Sequence, residues 1–294
     1  MQEKAILCVR SSGRELENVI RMVETKPTGY QVFLRDLGNQ TKRFGVNHVC
    51  LNSPQENMYQ ALGRNLVSNL LDGRNSESFD FPNYVYHNGT FLAIGGTGTG
   101  KTHTLVGSRK SFVDRGLIPR LLEDLFDRLE ALTDHSFSLR VSAFGLSENK
   151  ILDLLATKNS SCSTEAPTIC QDPSGVFVKG INYYEVKELS NTLKLLYSSS
   201  ANFAGHRVFT LHLRITDLTD SSAEMLFSKA CFVELASVAE PTLLEQEQRP
   251  VTSAAIRRSV STLENVLRVI AQGSSEHVPF RSCKLTHFLK DCLL

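Results

Sequence analysis

The sequence predicts an α/β domain organised around a mainly buried sheet. Two observations carry this expectation. Short apolar runs of strand length alternate with amphipathic segments of helical spacing along nearly the whole chain. One of the apolar runs (Phe91, Leu92, Ala93, Ile94) leads directly into Gly95-Gly96-Thr97-Gly98-Thr99-Gly100-Lys101-Thr102, which reads G-x-x-x-x-G-K-[ST]. A loop of that kind needs a buried strand before it and a helix after it, so that the helix start faces an anion. The 294 residues, 41% of them hydrophobic, suffice for a sizeable core in one large domain or two small ones.

Taken in order, residues 5–10 form a first strand-like run, and residues 30–34 and 44–51 are weaker strand candidates around the turn-like Gly38-Asn39. Ser53-Pro54-Gln55-Glu56 reads as a helix start, with Ser53 as the cap, Pro54 at the first helical position and Glu56 closing a capping box. Met58, Leu62, Leu66 and Leu70 make one apolar face, and Gly73 is a natural stop. Residues 74–87 lack periodicity and read as a surface insertion. After the glycine-rich loop, residues 102–106 contain no Pro or Gly and continue as a helix. Residues 116–120 lead into another, with Leu122, Leu125, Phe126 and Leu129 on its face.

Phe137, Leu139, Val141 and Ala143 alternate as a half-buried strand, residues 151–155 are a short apolar segment, and residues 158–167 read as a Ser/Thr-rich loop. A strand at 175–178 and a helix at 189–197 follow. Residues 208–215 alternate cleanly, and residues 231–236 read as a buried strand. Ile256, Val260, Leu263, Leu267 and Ile270 mark one face of a long helix. A last helix starts near Cys283, with Leu285, Phe288, Leu289 and Leu293 apolar.

Charge is balanced, 32 basic against 31 acidic residues, so net charge argues for no polyanionic partner. The seven cysteines are odd in number and scattered without a C-x-x-C pair, which fits a reduced, intracellular protein with cysteines as packing residues. Neither a signal-peptide core nor an apolar run of about 20 residues is present. Asn88-Gly89-Thr90 is formally a glycosylation acceptor but directly precedes a buried strand, so it is set aside.

The loop suggests its own chemistry. Its glycines bring backbone N–H groups close to phosphate oxygens, Lys101 would reach the β- and γ-phosphates, and the Thr102 hydroxyl would sit on a magnesium ion.

Several stretches in fixed order point further: residues 95–102, residues 116–120, Asp153-Leu154-Leu155, His206-Arg207-Val208-Phe209, Val233-Glu234-Leu235-Ala236, Ser259-Val260-Ser261-Thr262-Leu263, and His277-Val278-Pro279-Phe280-Arg281-Ser282-Cys283-Lys284-Leu285-Thr286. Together they resemble a kinesin motor domain over nearly the whole chain. The last stretch, H-V-P-[YF]-R-x-[SC]-K-L-T, is absent from generic phosphate-loop proteins, which disfavours a phosphate-loop kinase. No N-K-x-D motif of an ordinary GTPase is present. The resemblance implies the phosphate-loop NTPase fold of kinesins, with helices on both faces of the sheet, ATP and Mg2+ as cofactors, and a microtubule as partner. It also implies a cytoplasmic, cytoskeletal location. Cargo or signalling proteins would bind through regions outside this chain, and neither nucleic acid nor membrane insertion is expected. A family member would continue past Leu294 with a further strand and helix, so the chain is expected to be a fragment.

By the same resemblance, residues 95–102 and Arg10 would hold the nucleotide. Thr102 and, through a water, Glu234 would hold the metal. Glu234 and His206 would serve catalysis, and Arg257, Arg258, Arg281 and Lys284 would meet the filament. The family's first switch, N-x-x-S-S-R-S-H, is here Ser199-Ser200-Ala201-Asn202-Phe203-Ala204-Gly205-His206, where only the histidine matches. The second, D-L-A-G-S-E, is Glu234-Leu235-Ala236-Ser237-Val238-Ala239. The R-x-R-P that cradles adenine is reduced to Arg10-Ser11-Ser12-Gly13. Phosphoryl transfer depends mostly on positioning and charge stabilisation, so these departures imply weak hydrolysis. Two readings follow: a divergent ATP-driven motor domain acting in microtubule-based movement, or a non-motile scaffold binding microtubules or partner proteins without ATP turnover. Tyr59 and His103 are assigned to the core and to local packing.

Overall fold

The computed structural model describes residues 8–11, 20–26, 29–35, 41–51, 53–72, 84–147, 150–156, 166–172, 175–200, 203–219, 225–237, 250–272 and 278–293. The chain opens with β1 (Cys8–Ser11), β2 (Ile20–Lys26), β3 (Gly29–Arg35), β4 (Thr41–Val46) and β5 (His48–Leu51). The helix α1 (Gln55–Met58) runs through a π-turn at Tyr59–Gly63 into α2 (Arg64–Asp72). Then come β6 (Tyr84–Ala93), α3 (Lys101–Leu105), α4 (Leu117–Glu130), β7 (His135–Ser147), β8 (Lys150–Asp153), β9 (Thr168–Asp172), β10 (Gly175–Lys179) and β11 (Tyr184–Val186). The last elements are α5 (Leu189–Ser199), β12 (His206–Asp217), β13 (Met225–Glu234), α6 (Pro250–Ala271), α7 (Lys284–Phe288) and α8 (Lys290–Leu293).

The central sheet runs β11-β7-β12-β13-β6, with β8 paired to β7. Its long pairs β7–β12 and β12–β13 are antiparallel, whereas β13–β6 is parallel. Among the described residues the sheet ends at β6, and β1 and β5 stand apart as a parallel pair.

Period two sorts the apolar side chains of this sheet onto its faces. Leu139, Val141, Ala143, Phe209, Leu211, Ala230 and Phe232 join one core with Val67, Leu70, Leu121, Leu125 and Leu196 from α2, α4 and α5. Phe144, Leu146, Val208, Cys231 and Val233 join a second core with Leu263, Leu285 and Phe288 from α6 and α7. Helices therefore cover both faces, as expected. Because both faces are covered, β7 is buried continuously from Val141 to Leu146 and is not half-buried.

Several local expectations are corrected. The first helix starts at Gln55, with Pro54 at its cap and no capping hydrogen bond from a side chain. Glu56 does not close a capping box; it accepts from Gln60 Nε2 at 2.7 Å and pairs with the Arg120 guanidinium. The 44–51 run is broken at Asn47 into the ends of β4 and β5. Residues 84–87 of the expected insertion belong to β6, because they pair with β13 from Tyr84 onward. The rest of that stretch, Gly73 and the 38–39 turn lie outside the described residues, as does most of the 158–167 loop. On α6, Leu267 is 37% exposed and Val266 is fully buried, because the core stripe steps by three after Leu263. β2, β9 and β11 were not foreseen. Tyr59 is core, as expected, and its hydroxyl donates to Asp124. His103 is exposed and receives Gln55 Nε2 on its ring Nδ1 at 2.9 Å and on its carbonyl at 2.6 Å. Of the cysteines described, Cys50 and Cys231 are buried, whereas Cys292 is exposed.

Candidate functional site

The site forms where β6, β12 and β13 end together, because their register brings Ala93, Arg207 and Glu234 side by side. β6 delivers the 95–102 loop to α3, which starts at Lys101 with Gly100 as its cap. Gly98 and Gly100 have φ of 76° and 89°, the left-handed region that side chains other than glycine rarely adopt. A Cβ at either would meet nothing within 4 Å, so the loop opens onto free space. That combination fits a phosphate chain approaching backbone.

Lys101 Nζ donates to Gly95 O at 2.8 Å, Gly96 O at 2.7 Å and Ser237 Oγ at 2.6 Å. Burial pulls this ammonium below its ordinary pKa, the Glu234 carboxylate raises it, and the Arg207 guanidinium lowers it again. Thr97 lies in the exposed turn of the loop, and Thr99 Oγ1 donates to Gly96 O at 3.0 Å, which tightens it.

Opposite the loop, the Thr102 hydroxyl donates to Glu234 Oε1. The two expected metal-holding groups are thus in contact. Arg207, to which the sequence reading gave no role, joins them: its Nη2 donates to Thr102 Oγ1 at 3.0 Å and Glu234 Oε1 at 2.9 Å, and its Nη1 to Ser200 O at 2.6 Å. Arg207 and Glu234 are direct partners in the β12–β13 register, so the ion pair is a cross-strand pair. A magnesium ion on these two oxygens would have to displace the guanidinium, so the residues as arranged do not fit the metal. No local signal marked Arg207, because its pairing with Glu234 exists only in the β12–β13 register.

His206, expected to serve catalysis, is 3% exposed and bonds to the framework. Its Nδ1 accepts from the Ala236 N–H at 3.1 Å. The ring proton therefore sits on Nε2, facing Ser259 Oγ at 2.7 Å. Burial lowers its pKa to about 4, which keeps the ring neutral. The histidine ties the start of β12 to α6 and to the segment after β13.

The serines aligned with the first switch are turned away from the loop. Ser199 Oγ and Ser200 Oγ both donate to Leu196 O, at 2.8 Å each, within their own helix. Phe203 packs against Gly145 and Gly205.

The expected filament residues fall on α6 (Arg257 and Arg258), in the 3-10 turn Phe280–Ser282 (Arg281) and at the first residue of α7 (Lys284), with α6 and α7 in contact. Arg257, Arg258 and Arg281 are exposed and Lys284 half-buried. Arg257 lines a cleft with Gly95, Gly96, Leu235, Ser261 and Glu264, so it faces the glycine-rich loop. Arg10 falls in β1, and its side chain lies outside the described residues.

Comparison with known proteins agrees with this geometry. The chain matches the family described as "Kinesin motor domain" over residues 10–294. Kinesin-like protein KIF9 of Homo sapiens is 30% identical over 264 residues, covering 85% of this chain and 32% of that protein. Kinesin heavy chain isoform 5C of Rattus norvegicus is 27% identical over 257 residues, covering 82% of this chain and 25% of that protein. The chain therefore spans about a third or less of these relatives. Two solved structures share the fold. The motor domain of the Kar3-like kinesin from Ashbya gossypii has a TM-score of 0.72 at 20% identity, covering 98% of this chain and 87% of that one. A fast kinesin has a TM-score of 0.77 at 22% identity, covering 98% and 82%.

Proposed function

From the premise that this chain belongs to the kinesin motor-domain family, we propose that it is an ATP-binding, microtubule-binding domain of a protein acting in microtubule-based movement, and that it hydrolyses ATP poorly. The observation that carries the reading is the asymmetry of the site: an intact phosphate loop faces a wall whose hydroxyls and cation are engaged with one another.

The 95–102 loop would hold the phosphates through its backbone N–H groups and Lys101, which would exchange the carbonyls of Gly95 and Gly96 for phosphate oxygens. Among the described residues, nothing comparable serves the attacking water. Ser199 and Ser200 spend their hydroxyl protons on Leu196 O, and Ser237 Oγ is held by Lys101. Removing a single aimed donor typically costs ~10²–10³ in rate, so losing several leaves little turnover. Arg257, Arg258, Arg281 and Lys284 would meet acidic tubulin from α6 and the start of α7. Arg281 and Lys290 both depress the His287 pKa, after burial, which supports a positive surface on α7 and α8.

The contacts of Arg207 with Ser200, Thr102 and Glu234 favour a second reading, a non-motile scaffold, because they close the wall without nucleotide. Steady-state ATP hydrolysis with and without microtubules, beside microtubule co-sedimentation, separates the readings. The expected result is attachment with little stimulated turnover. Stimulated turnover at the rate of an ordinary kinesin would overturn the weak-hydrolysis reading, and absence of attachment in every nucleotide state would remove the microtubule.

A further inference from the structure

We propose that the Arg207 guanidinium is the resident cation of the nucleotide site, standing where a divalent metal would bind, so that the site takes adenosine phosphates in their metal-free form. The inference rests on the nucleotide-binding reading and specifies the ionic form of the ligand.

Three features of the geometry support it. The first is competition at the metal's oxygens, since Arg207 already donates to both Thr102 Oγ1 and Glu234 Oε1. The Thr102 hydroxyl has one proton and two lone pairs; the proton is given to Glu234 Oε1 and one lone pair receives Arg207 Nη2. Glu234 Oε1 accepts from both Thr102 and Arg207. Magnesium demands near-octahedral ligation at about 2.0–2.1 Å. On Thr102 Oγ1 it would lie against a like-charged nitrogen 3.0 Å from that hydroxyl, and the water through which it would reach Glu234 would compete with the same nitrogen, 2.9 Å from Oε1.

The second is that the guanidinium is built in. Arg207 pairs in register with Gly145 of β7 on one side and Glu234 of β13 on the other, at the end of the central strands. Its neighbour His206 is fixed by Ser259 and Ala236. The side chain is 20% exposed and touches oxygens from α3, β13 and the residue after α5.

The third is spare capacity toward an anion. A guanidinium carries five N–H donors. Three are used among the described residues, which leaves two for phosphate oxygens. Arg207 then adds one positive charge to that of Lys101, half of what a magnesium ion would add. The two donors left, Nε–H and one on Nη1, diverge, so each reaches a phosphate oxygen singly.

The test is a titration of the whole chain with fluorescent ADP and ATP, in excess magnesium and in EDTA, for the unaltered protein, Arg207→Ser and Arg207→Lys. The unaltered protein is expected to bind with affinities within about threefold of one another in the two buffers. Arg207→Ser frees Thr102 and Glu234, so its binding should become metal-dependent and weaken about tenfold or more in EDTA. Arg207→Lys keeps the charge without the fork; it should bind less tightly yet stay indifferent to metal. If the unaltered protein binds in magnesium and loses about tenfold or more in EDTA, the resident-cation role is wrong while the nucleotide site stands. Failure to bind in either buffer removes the nucleotide reading and the inference together. The decisive comparison needs only the unaltered chain, so it survives misfolding of either variant.

Discussion

The glycine-rich loop and the wall that faces it solve the same problem with different materials. The loop works through backbone: left-handed Gly98 and Gly100, open space above them, and one long side chain, Lys101. The wall works through side chains drawn from three elements, with Arg207, Glu234 and Thr102 joined by hydrogen bonds and Ser237 beside them bound to Lys101. Backbone recognition needs an unbroken local motif, so a loop of this kind is either recognisable or gone. A side-chain network can be rebuilt with other residues, provided the strands bring them to the same end of the sheet. Here β12 and β13 do so, and the pair Arg207–Glu234 bridges the two switch segments from a register that the family pattern does not use.

The sharpest way to break the loop half is Lys101→Ala. It removes the cation that phosphates require and three hydrogen bonds, including the bridge to Ser237. Nucleotide affinity is expected to fall by ~10²-fold or more, comparable to losing an aimed donor in a preorganised site, with the melting temperature of the free protein little changed. A fluorescent-nucleotide titration beside a thermal melt reads both. An equal loss of stability would mean that Lys101 is chiefly a strut of the wall.

The wall half responds to pH through His206. Its folded pKa is about 4, below the ordinary value of 6.5. The unfolded chain therefore binds more protons between those values, and stability rises with pH there. The contribution is fully present above about pH 6.5 and is lost as pH falls toward 4. The shift corresponds to up to about 3 kcal/mol. His212, lowered to about 4 by burial and by Lys229 and Arg140, adds a slope of the same sign. His206→Asn keeps an acceptor for the Ala236 N–H and cannot titrate. Denaturant midpoints from pH 7 to 4.5 should fall less steeply in this variant than in the unaltered protein. Identical slopes would assign the pH dependence elsewhere.

The two halves were also unequally legible in the sequence. Residues 95–102 carried their geometry in composition, since a glycine at a left-handed position is visible as a letter. The long strands and amphipathic helices were equally plain, because period two and period 3.6 persist over many residues in β12 and α4. What stayed hidden was tertiary. Ser53 looked like a helix cap, yet the helix begins after Pro54, and Glu56 is drawn to Arg120 across the fold. Ser237 looked like a loss from a motif and Arg207 like one letter of a matching stretch, and the contacts of Arg207 with Glu234 became visible only once β12 and β13 were in register. β9 and β11 are five and three residues long, too short for a periodic signal. The serines at 199 and 200 stand outside the serine positions of the first-switch pattern, and both donate to Leu196 O at the end of α5.

A last contrast lies in what fills the space left by the altered first switch. Phe203 takes part of it, lying against Gly145 on β7 and against Gly205. A Cβ at Gly145 would overlap three atoms of that ring, each nearer than 3.0 Å, and one at Gly205 would also press on Leu146 O. The aromatic and the glycines therefore form one packing unit. Gly145→Ala should destabilise by about 1–3 kcal/mol, the usual cost of overpacking a filled site. Combining it with Phe203→Leu should recover part of that loss, because a smaller side chain leaves room for the added methyl. The coupling in a double-mutant cycle is the measure, since residues in contact depart from additivity by about 0.5–3 kcal/mol. Strict additivity would mean that Phe203 does not occupy the space above Gly145. The first-switch segment would then be a loose strap over the sheet, and Arg207 would be held by its strand alone.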